Sequence, residues 1–125
     1  MIQAKRVYEM PDPGDGVRVL VDRLWPRGLS KDKARVDLWL KDIAPSAALR
    51  AWFAHDRSKW PEFITRYREE LDRNPDLMKP ILELAATGTV TLLFAASDET
   101  CNNAVVLMDY LREKHPSAAS PRKRR

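Results

Sequence analysis

The chain has 125 residues, 44% apolar and 32% charged, with only 4 glycines, a globular composition that excludes disordered and collagen-like chains. Its single cysteine excludes an internal disulfide and a cysteine-built zinc cage, and no apolar run approaches the roughly 20 residues that span a bilayer. The formal charge of +4 sits at one end: residues 116–125 carry Arg122, Lys123, Arg124 and Arg125 and no acid, while residues 1–115 hold 18 basic against 18 acidic side chains.

In chain order, Ile2 to Tyr8 is a strand candidate, closed by the turn-forming run Pro11-Asp12-Pro13-Gly14-Asp15-Gly16. Val17 to Asp22 is β-branched and predicts a second strand. Trp25-Pro26-Arg27-Gly28 breaks it, because proline donates no ladder hydrogen bond and glycine permits a sharp bend. Ser30 caps a short helical turn through Ala34, and Val36 to Leu40 reads as a further extended segment. Ser46 is the N-cap of a helix over Ala47 to Phe53. Asp56 or Ser58 starts the next, in which Trp60, Phe63, Ile64, Tyr67 and Leu71 form one apolar stripe. Asn74-Pro75 opens another helix, which Pro80 kinks or delays and Gly88 suits as a C-terminal cap. Thr89 to Ala96 is apolar at consecutive positions, as expected of a central strand covered on both faces. Ser97-Asp98-Glu99-Thr100 closes it, with Asp98 as N-cap and Cys101 in the first turn of the last helix. These elements predict one α/β domain over residues 1–115: a small, mostly parallel sheet of three to five strands with helices on both faces. Residues 116–125 have no apolar anchor and are expected to be a disordered basic tail.

Ligands of parallel α/β sheets bind beyond the carboxyl ends of the strands, and two segments fall there. One holds Arg23, Trp25 and Arg27, two guanidinium forks suited to phosphate or carboxylate with an indole able to stack between them. The other, Ser97 to Asn103, brings Asp98, Asn102 and Asn103 to a helix start, where backbone N–H groups cradle anions. The alternative is structural: Arg23 pairs with Asp22 or Asp37, Trp25 plugs the sheet end, and Asp98 merely caps. A third cluster is His55-Asp56 at a helix junction, a general acid–base pair if the carboxylate orients the imidazole, or otherwise an ordinary helix end. Cys101 has no histidine near it in sequence, and the two histidines, His55 and His115, make no metal-ligand cluster.

Val21-Asp22-Arg23-Leu24-Trp25-Pro26-Arg27-Gly28, Trp39 to Ser46, Leu49 to Phe53 with His55-Asp56, and Leu92 to Ala96 with Asn102 to Leu107 together resemble the YeaO-like bacterial family, a domain of unknown function. The resemblance runs from about residue 2 to 114. It implies a cytoplasmic bacterial protein with an α/β fold and no known cofactor. Longer relatives carry a Cys-His-Arg triple after the last strand; Cys101-Asn102-Asn103 stands there instead.

The function expected is therefore a polar rim pocket for an anionic or planar small molecule. Arg23, Trp25, Arg27, Asn102 and Asn103 would bind it, and any acid–base chemistry would fall to His55, Asp56 and Asp98 without a metal. The rival reading is an accessory nucleic-acid or protein binding module that uses Arg122 to Arg125. A third is an interaction domain with a tryptophan-rich face. No membrane association is expected.

Overall fold

A computed structural model of the chain describes residues 1–116. Four strands, β1 (Ile2–Arg6), β2 (Val17–Leu20), β3 (Leu38–Trp39) and β4 (Val90–Phe94), form one all-parallel sheet in the order β1-β4-β2-β3. Five α-helices accompany it: α1 (Lys31–Ala34), α2 (Ala47–Phe53), α3 (Trp60–Arg73), α4 (Lys79–Ala85) and α5 (Asn103–Lys114). This is the small α/β architecture expected from the sequence.

All five residues of β4 are buried, and Val90 pairs with Ile2 on one side and Val17 on the other. The two faces are covered unequally. Val90, Leu92 and Phe94 join the main core, to which the helices α2 to α5 contribute Leu49, Phe63, Tyr67, Ile81 and Leu107. Leu93 points the other way, into a small cluster with Val7, Leu20 and Ala34, over which Trp25, Leu29 and Trp39 close. Among the described residues that second face has only the one-turn helix α1 and loops, not a full helical layer.

The link from β1 to β2 explains part of this asymmetry. It has ten residues and must cross β4, where parallel neighbours usually need a dozen or more. The Asp15 carbonyl accepts the Thr91 hydroxyl of β4 at 2.6 Å. The Asp15 carboxylate takes Lys5 Nζ of β1 at 3.1 Å and pairs with Arg18 of β2. Arg18, 4% exposed, also donates to the Ala34 and Arg35 carbonyls. One buried residue, Asp15, thus ties the crossover to three strands, to β4 through its carbonyl and to β1 and β2 through its carboxylate.

Helix boundaries follow local chemistry, with three departures from expectation. Ser46 caps α2 by accepting the Leu49 N–H, and the stripe Phe63, Tyr67 and Leu71 is the buried side of α3. Asp56 accepts the Ser58 N–H and opens a short 3-10 turn leading into α3. Pro80 lies in the first turn of α4, so it delays the helix and introduces no kink. The first departure is Gly88: α4 ends at Ala86 with an ordinary right-handed φ of −66°, so no left-handed glycine is needed. Second, Asn74 precedes a 3-10 turn without capping it; its amide donates back to the Glu70 carbonyl. Third, Asp98 does not start α5. Its Oδ1 accepts the N–H groups of Thr100 and Cys101 and folds a separate turn, and Asn102 caps the helix through the Val105 N–H. Cys101 therefore lies just ahead of the helix, outside its first turn. The expected disorder of the basic tail falls almost wholly outside the described residues. No helix among the described residues is long and apolar enough to cross a membrane.

Candidate functional site

β2 and β4 are adjacent and parallel, so their carboxyl ends open on the same edge of the sheet. A cavity of about 660 Å³ lies there, and the two segments singled out in the sequence both line it: Arg23, Trp25 and Arg27 on one side, Asn102 and Asn103 on the other. His55 lines the same cavity. It follows Ala54 at the end of α2, and both residues have left-handed backbones, φ 47° and 58°. The imidazole is solvent-exposed, and its ring lies 6.2 Å from that of Phe53.

Asp56 and Asp98 are absent from the lining. The Asp56 carboxylate is turned to Ser58, whose hydroxyl and N–H hold it below the usual carboxylate range. No hydrogen bond joins it to His55 among the described residues, so the imidazole has no carboxylate to orient it. Asp98 is held low by the N–H groups of Cys101 and Thr100, and its other oxygen pairs with Arg57 at 3.0 Å. Both acids are consumed by chain reversals, the commonest use of a short carboxylate beside a helix start.

The binding side chains differ in how much remains available. Arg23 pairs with Asp42 at 3.1 Å, neither with Asp22 nor with Asp37, in an exposed contact of little intrinsic strength. The side chain of Arg27 has no hydrogen bond or ion pair among the described residues, while its carbonyl accepts the Tyr8 hydroxyl at 2.7 Å. Trp25 is half-buried, donates its indole N–H to the Leu29 carbonyl at 2.7 Å and meets Trp39 edge-on. It is a wall of the cavity locked by packing. Asn102 is buried with its amide spent on Asp98 and Val105.

Two charged lining residues were not among the site residues expected from the sequence, although Asp22 begins the rim segment that holds Arg23. Asp22, where the chain leaves β2, receives the Ala95 N–H on one carboxylate oxygen at 2.8 Å and the Asn103 amide on the other at 3.1 Å. Burial pushes its carboxyl above the ordinary value, against the pull of those donors and of nearby Arg50. Arg50 on α2 donates its Nε to the Pro45 carbonyl at 3.2 Å and lines the cavity beside Phe53 and Phe63. Asp22 was visible only as an acid next to Arg23, and Arg50 only as a polar residue on a helix; neither pattern points inward until the fold is known.

Over residues 1–124 the chain matches the family described as the inactive DUF488-N3 subclade. The chain belongs to the DUF488-N3i family. The YeaO resemblance carried by its motifs agrees: it is 41% identical over 111 residues to the uncharacterised protein YeaO of Escherichia coli K12, covering 89% of this chain and 96% of that one. It is 43% identical over 110 residues to the uncharacterised protein Rv3073c of Mycobacterium tuberculosis H37Rv, covering 88% of this chain and 92% of that one. No solved structure matches this DUF488-N3i chain.

Proposed function

We propose that this protein binds an anionic, flat small molecule in the cavity at the carboxyl ends of β2 and β4, and does so without transforming it. The observation that carries this reading is the charge of the lining: Arg23, Arg27 and Arg50 against the single carboxylate of Asp22. Guanidinium forks suit phosphate and carboxylate bidentately, and a cation with no internal partner, as at Arg27, is available to a ligand at no structural cost. The start of α5 lies beside the same space and adds the positive end of a helix dipole. Phe53, Phe63 and Trp25 supply flat apolar walls.

Binding without catalysis is favoured because the acids at Asp56 and Asp98 are engaged elsewhere and, among the described residues, no carboxylate is hydrogen-bonded to His55. The family's description as an inactive subclade points the same way.

The test is a thermal-shift screen of sugar phosphates, nucleotides and small carboxylates. A ligand at 100 times its Kd stabilises by about 2.7 kcal/mol, a shift easily read. Arg27→Ala should abolish the shift, whereas deletion of residues 116–125 should leave it intact. If no anion in the panel stabilises the protein, the reading is wrong; if the deletion alone removes the shift, binding belongs to the basic tail.

A further inference from the structure

The cavity is graded from its floor to its mouth, and the grading narrows the ligand. At the mouth stand three exposed side chains, Arg23, Arg27 and His55. On the floor lie the half-buried Asp22 and Arg50, with the rings of Phe53 and Phe63 beside them, 4.5 Å apart between centroids. The floor therefore offers an acceptor and a donor side by side. Each oxygen of Asp22 receives one N–H from the protein, and a carboxylate oxygen accepts two, so one further acceptor position remains on each. Arg50 spends its Nε on Pro45, and its terminal nitrogens have no hydrogen-bond partner among the described residues.

A ligand matching this floor presents two adjacent N–H donors to Asp22 and a carbonyl oxygen to Arg50, all in the plane of one ring that lies against the packed pair Phe53 and Phe63. Its anionic group then lies at the mouth among Arg23, Arg27 and His55. A simple sugar phosphate or dicarboxylate satisfies the mouth and leaves the remaining acceptor positions of the floor carboxylate unfilled. Adenine carries a single amino group on that edge and no carbonyl. A 2-amino-6-oxopurine carries an N–H, an amino group and a carbonyl in a row, and the cavity is large enough for its nucleotide.

We infer that the ligand class is a guanine-type nucleoside monophosphate, its base edge read by Asp22 and Arg50 and its phosphate held by the arginines at the mouth. The inference rests on the anion-binding reading above and names the ligand within it.

Calorimetric titration of the full chain with guanosine monophosphate, adenosine monophosphate and ribose 5-phosphate tests it. Guanosine monophosphate should bind at least about tenfold more tightly than either of the others, the discrimination one good bidentate pair supplies. Asp22→Asn turns an acceptor into a donor while keeping an oxygen for the Ala95 N–H. It should erase that preference and, because it removes the one carboxylate of the lining, should not weaken ribose 5-phosphate binding. Equal affinity of the native chain for all three compounds would overturn the guanine assignment and leave the anion site standing. Absence of binding by all three, with no anion active in the thermal screen, would remove both. Because the three-way comparison uses the native chain, the result does not depend on whether Asp22→Asn folds.

Discussion

Arg18→Met probes the clamp that lets a ten-residue link carry the chain from β1 across β4 to β2. The methionine keeps most of the buried stem and removes the guanidinium. Three bonds disappear: the ion pair to Asp15, and the donations to the Ala34 and Arg35 carbonyls. Removing one member of a buried ion pair costs about 3–5 kcal/mol because the other charge stays behind. Lys5 remains beside Asp15, so the lower end applies, and we expect a loss of about 3 kcal/mol. For a chain of this size that corresponds to a fall in Tm of roughly 10–15 °C. Urea unfolding followed by tryptophan fluorescence reads it as a lower midpoint at unchanged slope. The acid limb provides a second readout. Burial alone would raise the Asp15 carboxyl; the Asp12 N–H, Lys5 and Arg18 outweigh it and hold the folded value below 3.8. A depressed carboxyl contributes stability that is fully present above its unfolded value and lost as pH falls through the folded one. Wild type should therefore lose stability below about pH 4, and Arg18→Met should lose less over that range. A destabilisation under about 1 kcal/mol, with an unchanged acid limb, would refute the clamp, since it would place the Asp15–Arg18 pair among surface ion pairs.

Two further substitutions test backbone arguments. Gly16, φ 63°, lies so close to β4 that an added Cβ would sit 2.1 Å from the Thr89 carbonyl oxygen, whose partner is the Val17 N–H. Gly16→Ala should push β2 off β4 at its first ladder bond and cost more than about 2 kcal/mol, the sparsely allowed backbone at φ 63°, ψ −135° alone costing about 1–3; unfolding within about 0.5 kcal/mol of wild type would contradict that contact. Ala54→Gly acts in the opposite direction: relief of the left-handed strain at φ 47° exceeds the entropy cost of glycine, for a net gain of up to about 1 kcal/mol. Thermal unfolding decides it, and a lower Tm would mean that the Ala54 methyl packs more usefully than its exposure indicates.

Local chemistry along the chain carried much of the fold. The buried run at Val90 to Phe94, the Ser30 and Ser46 caps, the Trp60–Leu71 stripe and the delayed start at Pro80 are all short-range signals, and each element stands where those signals put it. The boundary at Asp98 was misread because a short carboxylate makes the same hydrogen bonds in a chain reversal as at a helix N-cap, and the sequence does not distinguish the two. Much of the candidate site was legible as well, since strand ends in a parallel sheet are where a ligand would lie, and Arg23, Arg27 and Asn103 could be placed there from the strand pattern alone. Asp22 and Arg50 were not legible, because inward direction is a tertiary property: Asp22 turns into the cavity only when Ala95 of the β4 exit and Asn103 of α5 offer it donors 73 and 81 residues away. The sequence by itself thus determined the parallel α/β framework, the covered central strand and the motifs of the family. Tertiary structure alone decided the strand order β1-β4-β2-β3, the thin second face beneath Trp25, and which charges are spent on the fold and which face open space. The physical reason is range: caps, turns and periodicity act within a few residues, whereas pairing, desolvation and ion-pair choice depend on groups that meet only after the chain has closed.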